Sequence, residues 1–146
     1  MKGEVRDLLR SGNHSLVIDN GEVRTFDGKG VKDLLRLLDE EPQELKGAKI
    51  ADKVVGKAAA ALMVLGKVRE VYAELISTPA VELLRKYGVA VSFGNETDHI
   101  MNRDQTGWCP METACRNVDS PTDMLRAIKQ KMAEMINRKQ TVNQTN

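Results

Sequence analysis

The dipeptide Asn20-Gly21 lies between two short β-prone runs, Ser15–Ile18 and Val23–Phe26. Asn-Gly in this position is the strongest short-range signal for a β-hairpin, because the tight turn needs positive φ at both central residues. The sequence therefore predicts an antiparallel pair of strands near the N-terminus.

Hydrophobic spacing predicts helices and strands in alternation around this hairpin. We expect a helix over 3–10, a second helix from Val31 to Pro42, and a third over Asp52–Leu65, whose four alanines (58–61) indicate a central position. A strand over 68–76, a helix over 79–87 and a strand over 89–93 fit a parallel crossover. A long loop (94–107), a helical turn from Cys109 and a last helix after Ser120 complete an α/β fold.

Length and charge limit the class of protein. The chain has 146 residues, with 22 basic and 21 acidic side chains and a net charge of +1. We expect one domain over 1–137 and a disordered polar tail over 138–146. The balanced charge and the five aromatic residues argue against general nucleic-acid binding.

The same composition predicts a cytoplasmic protein. No run of about 18 apolar residues could span a membrane, and the charged start MKGEVRDLLR is unlike a secretory signal. Cys109 and Cys115 are therefore expected to remain reduced thiols.

The segment around Asp52 is the first candidate site. If Asp52 caps the predicted helix, Lys53 and Lys57 lie one turn apart on the same face. Lysines in a first turn oppose the helix dipole by roughly 0.3–1 kcal/mol each, unless an anion or carboxylate sits at the helix start. Gly56 within a helix costs roughly 1 kcal/mol relative to Ala, which indicates close approach by a strand or a ligand. The alternative is a solvated lysine pair beside a capping aspartate.

Cys109 is the second candidate. Pro110 at a first helical position would place Cys109 at the N-cap and Glu112 near the third residue. A thiol there can have a lowered pKa and act as a nucleophile, with His99 in the same loop as its possible base. The alternative is a buried small hydrophobic residue beside Trp108, with Glu112 as a helix-capping acid.

Metal and phosphate motifs are missing from the sequence. Cys109 and Cys115 are six residues apart, about 240° around a helix, so they could not share an ion there. We expect neither a metal site nor a cofactor. Asn102-Arg103 is a possible clamp for a carboxylate or phosphate.

The order of elements resembles the cytidine-deaminase-like fold, a three-layer α/β/α sandwich whose mixed sheet starts with an antiparallel hairpin. In zinc deaminases a His/Cys-x-Glu motif opens the helix after the hairpin, and Pro-Cys-x-x-Cys opens the helix after the third strand. Here the first place looks like Asp52-Lys53-Val54 and the second like Pro79–Leu83. Neither holds zinc ligands, so the resemblance does not imply zinc-dependent deamination.

A fuller resemblance is to an uncharacterised prokaryotic family of unknown function with that fold. It covers roughly residues 5–136 and is carried by Ala51–Ala60, Asn102-Arg103 and Cys109–Glu112. The resemblance implies a pocket between the starts of two helices, lined by Asp52, Lys53, Ser77 and Thr78. The Cys109 helix and the Arg103 loop would fold over it.

Three functions follow as alternatives. The first is a zinc-free module that binds an anionic or nucleotide-like small molecule, with these expected contacts: Lys53, Lys57, Ser77, Thr78, Asn102 and Arg103. The second is an enzyme with Cys109 as nucleophile, Lys53 lowering a pKa or holding an oxyanion, and Asp52 or Glu112 carrying a proton. The third is an interaction protein, such as a homo-oligomer, that uses the methionine stripe of the last helix: Met124, Met132 and Met135.

Overall fold

The computed structural model describes residues 4–28, 30–102 and 105–144. Six α-helices lie in this part of the chain: α1 (Glu4–Ser11), α2 (Lys32–Glu40), α3 (Lys57–Leu65), α4 (Thr78–Lys86), α5 (Pro110–Cys115) and α6 (Pro121–Gln144). Five strands lie between them: β1 (Leu16–Asp19), β2 (Val23–Phe26), β3 (Lys49–Val55), β4 (Glu70–Ser77) and β5 (Ala90–Thr97). None of these helices is long and apolar enough to cross a membrane.

The strands form one mixed sheet in the order β2-β1-β3-β4-β5. The hairpin β1–β2 is antiparallel, and β1 also pairs antiparallel with β3. The pairs β3–β4 and β4–β5 are parallel. This arrangement confirms the predicted α/β class, the hairpin and the parallel crossover between β4 and β5.

The two faces of the sheet carry separate hydrophobic cores. Helices α2 to α6 all contribute buried side chains to the larger one, which we call the main core. Helix α1 packs on the opposite face over a second core of five buried residues: Val5, Leu9, Val17, Ala51 and Tyr72. Ala58 to Met63 are all buried, which confirms the central position of α3.

The predicted helix over Asp52–Leu65 is wrong in its first turn. Residues 49–55 form β3, and the helix begins only at Lys57, with Gly56 as its N-cap. Strand β3 lies between β1 and β4, and Ile50, Ala51 and Val55 are fully buried there. Pairing on both sides satisfies the backbone, so tertiary context overrides local helix propensity.

Near their carboxyl ends, strands β3, β4 and β5 interrupt the alternation of side chains between the two faces of the sheet. Val71 and Ala73 face the main core, but the next residue of β4 to do so is Ile76 rather than Leu75. The predicted alternation of Val71, Ala73 and Leu75 on one face is therefore wrong at Leu75. Leu75 pairs with Val54 of β3 and with Asn95 of β5. Because paired residues on neighbouring strands share a face, the alternation is interrupted in all three strands.

Turns and ends also differ from expectation. Asp19 pairs with Val23, so three residues connect the hairpin, and of Asn20 and Gly21 only the glycine has positive φ, at 93°. The predicted loop 94–107 begins as strand, and an antiparallel bridge between Met101 and Trp108 closes the rest. Helix α6 runs to Gln144, into the segment 138–146 that the sequence predicts as a disordered tail.

Candidate functional site

The carboxyl ends of four strands meet at one edge of the sheet. Strands β3, β4 and β5 are parallel, and β2 points the same way because both β2 and β3 are antiparallel to β1. Helices α2, α3 and α4 begin just beyond this edge. We call it the carboxyl edge, and ligands of open α/β sheets bind at such an edge.

Asp52 lies near the end of β3 on the main-core face. Its neighbours in register are Leu16 and Ala73, and Leu16 in turn pairs with Phe26. Leu16 and Ala73 are buried in the main core, whereas Asp52 remains partly exposed. Asp52 is thus the polar member of a row whose neighbours are apolar and buried.

Burial raises the pKa of Asp52 to about 7, from an ordinary value of 3.8. Hydrogen bonds from the backbone N–H groups of Val54 and Lys53 lower this pKa, but by less. The Val54 N–H lies 3.4 Å from Oδ1. No cationic side chain of the described residues compensates the charge, so near neutral pH the group is present in both protonation states.

Glu112 is the second carboxyl group at this edge, and it is only 4% exposed. Its Oε1 accepts a hydrogen bond from the backbone N–H of Lys57, 3.0 Å away, at the start of α3. Burial raises the pKa of Glu112, while the Lys57 N–H, the Ser77 hydroxyl and the charges of Lys57 and His99 act against that rise. Glu112 is thus an internal cap for α3.

This cap explains Gly56. A Cβ atom on Gly56 would collide with Glu112 Oε1 and lie 2.8 Å from its Cδ. The φ of Gly56 is −97°, so the backbone does not require glycine there. The close approach predicted from the sequence exists, and the group that approaches is a carboxylate of the same chain.

The two lysines do not form the predicted cluster. Lys53 lies in β3, and its Nζ donates to Asn13 Oδ1 at 2.9 Å. Lys57 Nζ donates instead to the carbonyls of Val118, at 2.8 Å, and Arg116, at 3.4 Å. The prediction that both ammonium groups share one helix face is wrong, because Lys53 is not in the helix.

Most other predicted contacts stabilise the fold. Ser77 is fully buried and caps α4 by accepting from the Ala80 N–H at 3.3 Å. Thr78 Oγ1 donates to Glu96 Oε2 at 2.7 Å. Asn102 Oδ1 accepts from the Thr106 N–H at 3.0 Å and closes the turn between them. Arg103 lies outside the described residues.

Cys109 is the N-cap of α5, as predicted, and it is partly buried. Its predicted partner is engaged elsewhere, since the His99 ring stacks on Trp108 with centroids 4.4 Å apart. His99 Nε2 also lies 3.1 Å from Met101 Sδ, and no hydrogen bond joins the described His99 and Cys109 side chains. Burial raises the pKa of the neighbouring thiol, Cys115, to about 11.

An open groove of ≈ 170 Å³ lies on the other side of the α3 start. Lys57 and Lys86 line it together with Glu82 and Asp119, so its charges balance. The lining of the groove therefore carries no net charge.

The observed strands also change which residues begin the two helices that the resemblance names. The helix after the hairpin is α2, which opens with Val31, Lys32 and Asp33, and the helix after the third strand is α3, which opens with Gly56 and Lys57. The placement at Asp52 and Pro79 is wrong because the sequence reading missed β3. The residues at the new positions do not fit zinc, since no thiol or imidazole stands at either helix start. Within the described residues, no three His, Cys, Asp or Glu side chains are grouped to hold a metal ion.

Three features of the site were not predicted from the sequence: the desolvated position of Asp52, the Glu112 cap of α3 and the bond from Lys57 to Val118. The position of Asp52 beneath the helix layer depends on β3, whose signal was the run Ile50–Val55 with its buried apolar ends. The Glu112 cap joins residues 55 positions apart, and the Lys57–Val118 bond spans 61. Of these two long-range contacts, only the Glu112 cap had a signal in the sequence, namely the glycine at position 56.

Fold and site together define a mixed α/β domain with two desolvated carboxyl groups at the carboxyl edge of its sheet. The chain belongs to the TM1506 family, a domain of unknown function (DUF1893), whose family model matches residues 4–132. A crystal structure of a DUF1893 family protein (TM1506) from Thermotoga maritima is similar, with a TM-score of 0.76 and 26% identity, over 90% of this chain and 97% of that chain. No curated protein matches the chain.

Proposed function

We propose that this protein is a zinc-free, cytidine-deaminase-like domain that binds a small nucleobase-like molecule at the carboxyl edge. The observation that carries the proposal is Asp52, a partly exposed residue whose carboxyl group is desolvated and whose neighbours in the sheet are apolar and buried. A ligand that donates hydrogen bonds to Asp52 would replace the solvation that burial removes.

The strand order supports the fold assignment. A hairpin at one end of the sheet, followed by parallel β3, β4 and β5, is the arrangement that the resemblance implies. The helices after the hairpin and after the third strand start at the same edge, where that fold has its pocket. Asp52 lies on the face that both helices cover.

The charges favour a neutral heterocycle over a phosphate. Both lysines expected to bind an anion already donate to oxygen atoms of the protein. The oxygens of Asp52 suit ring and exocyclic N–H groups, and Phe26, Leu16 and Ala73 provide an apolar row beside them. A nucleotide would then bind through its base.

The test is a binding screen. Free bases, nucleosides and nucleotides are added to the protein, thermal unfolding is recorded, and compounds that raise the melting temperature are measured by calorimetry. We expect a base or nucleoside to bind, with an affinity that falls by up to tenfold per pH unit below about 7, because protonated Asp52 accepts less well.

The matched variants are Asp52→Asn and Asp7→Asn, since Asp7 is exposed on α1. Asp52→Asn should remove the pH dependence and weaken binding, and Asp7→Asn should change neither. The absence of any compound that raises the melting temperature would overturn the proposal, as would binding that both variants leave intact.

A further inference from the structure

Two short segments, residues 99–102 and 105–109, run antiparallel between β5 and α5. Met101 and Trp108 form the bridge between them, and the Cys109 N–H donates to the Ile100 carbonyl at 2.9 Å. Ile100 is buried and Cys109 packs against the main core, so these two side chains face the body of the fold. Bridge partners share a face, and successive residues of an extended segment alternate. Met101 and Trp108 therefore lie on the other face, away from the cysteine.

An imidazole, a thioether and an indole converge on that other face. His99 Nε2 lies 3.1 Å from Met101 Sδ. The His99 ring stacks on the Trp108 indole, with centroids 4.4 Å apart and an angle of 14° between the planes. All three side chains are partly buried. An ion bound to Nε2 lies in the imidazole plane, which runs nearly parallel to the indole, so the same ion faces both the sulfur and the aromatic ring.

We propose that His99, Met101 and Trp108 form a binding site for copper(I). Thioether sulfur is a soft ligand that selects copper(I), and imidazole also suits copper. Bonds from first-row ions to nitrogen and sulfur are roughly 2.0–2.3 Å long, so one ion reaches both Nε2 and Sδ across the observed separation. The flexible methionine can rotate to widen the angle at the ion. The indole face adds an attraction for positive charge.

The surroundings favour a soft monovalent ion over a divalent one. Within the described residues, no three His, Cys, Asp or Glu side chains are grouped here or elsewhere to hold a hard ion. Arg116 Cζ already lies over the Trp108 ring at 4.5 Å. Its charge repels a divalent ion about twice as strongly as a monovalent one. The alternative is a hydrogen bond from the imidazole to the sulfur with no ion, and the experiment below separates the two.

Fluorescence tests the site directly, because Trp108 is the only tryptophan of the chain. The Cys109→Ala chain is titrated with copper(I) under a reductant and without oxygen, since a partly exposed thiol binds copper(I) by itself. We expect quenching that saturates at one equivalent. Competition with a copper(I) chelator then gives the dissociation constant.

Two further substitutions in the Cys109→Ala chain remove one donor each. His99→Phe keeps a ring against the indole, and Met101→Leu keeps the apolar volume, yet each should raise the dissociation constant about tenfold or more. The matched controls are His14→Phe, which removes the only other imidazole, and Met135→Leu, which removes an exposed thioether. Both controls should leave the dissociation constant unchanged.

Three results would overturn the inference: no saturable quenching, a dissociation constant that His99→Phe and Met101→Leu leave unchanged, or tighter binding of zinc than of copper(I). Thermal unfolding shows whether each variant is folded. If a variant does not fold, X-ray absorption of the Cys109→Ala chain loaded with copper(I) decides instead. We expect nitrogen and sulfur neighbours around the copper, and a shell that lacks either one excludes the site.

Discussion

At the scale of single residues, burial desolvates two carboxyl groups at the carboxyl edge, and the two groups differ in the partners that stabilise their charged forms. Glu112 receives the first N–H of α3 and lies near the Lys57 charge. Asp52 receives only backbone N–H groups of its own strand segment. Asp52 is therefore the one of the two carboxyl groups whose charged form no cationic side chain of the described residues stabilises.

Asp52→Asn should change how stability depends on pH. Between about pH 4 and 7 the folded state keeps a proton on Asp52 that the unfolded state has lost, since the pKa rises from 3.8 to about 7. The free energy of unfolding of the wild type therefore falls as pH rises, by at most about 1.4 kcal/mol per unit, and levels off above pH 7. The asparagine variant lacks this component, as urea denaturation across the range would show.

Glu112 contributes a slope of the same sign, because its pKa is also raised. Asp52→Asn should therefore reduce the slope without abolishing it. Asp7→Asn is the control and should reproduce the wild-type profile, since Asp7 is exposed. Identical slopes for wild type and Asp52→Asn would contradict the assignment of a raised pKa to Asp52.

Gly56 and Glu112 should be energetically coupled. Gly56→Ala pushes the carboxylate off the α3 start, and we expect a loss of about 2–3 kcal/mol in unfolding free energy. Glu112→Ala removes the cap and leaves a small cavity, with a similar loss. In the double variant, the added methyl meets mainly Ile100 Cγ1 at 3.2 Å, so it should cost less than about 1 kcal/mol more.

Denaturant unfolding of the four proteins measures this coupling. Gly107→Ala is the control, because no atom lies within 4 Å of the added Cβ, and its small effect should be independent of Glu112. If the losses in unfolding free energy from Gly56→Ala and Glu112→Ala simply add in the double variant, the Glu112 carboxylate does not lie against Gly56.

At the scale of elements, α1 differs from the other helices because it packs on a much smaller hydrophobic core. It alone covers its face of the sheet within the described residues, through the five-residue second core. Arg6 lies over the Tyr72 ring at 4.8 Å, and Arg10 reaches the Tyr72 hydroxyl at 3.4 Å. Helices α2 to α6 share the main core and support one another.

We expect α1 to open before the rest of the fold. In hydrogen exchange, amides of α1 should exchange through a smaller opening free energy than those of α3. Leu9→Ala should remove about 2–4 kcal/mol and widen this difference, because Leu9 is fully buried in the second core.

Leu84→Ala is the matched change in the main core, since Leu84 is also fully buried. It should accelerate exchange throughout the main core rather than in α1 alone. Equal acceleration of α1 and α3 by Leu9→Ala would show that the two cores unfold as one unit.

At the scale of the whole molecule, α6 extends beyond the body of the fold. Met124 and Ile128 are fully buried, Met132 packs against the main core, and Met135 and Ile136 are 37% and 52% exposed. The predicted methionine stripe is thus core at its start and surface at Met135. The family match also ends at residue 132.

A chain ending at Arg138 should unfold at nearly the wild-type temperature, within about 1–2 °C. Among the residues of α6 whose burial is described, those that reach the main core all precede that point. Ile128→Ala is the control and should lower the free energy of unfolding by about 2–4 kcal/mol. A large drop in melting temperature on truncation would show that the end of α6 stabilises the fold.

Local patterns predicted much of this fold correctly. The hairpin at Asn20-Gly21, the Ser77-Thr78-Pro79 helix start and the alanine run each depend on a few adjacent residues, and each is found in the structure, although the turn itself differs from the predicted type. Strand β3 was missed because its first residues follow a polar stretch and its last precede a strong helix former. Its pairing with β1 and β4 comes from distant segments.

The sequence by itself determined the α/β class, the hairpin, the central α3 and the N-cap position of Cys109, because backbone propensity and capping act over one or two turns. Only the tertiary structure decided which charges meet. It moved Lys53 into a strand, brought Glu112 to Gly56 across 55 residues, and left Asp52 desolvated without a cation. The physical reason is that desolvation and hydrogen bonding depend on three-dimensional neighbours, which chain spacing does not specify.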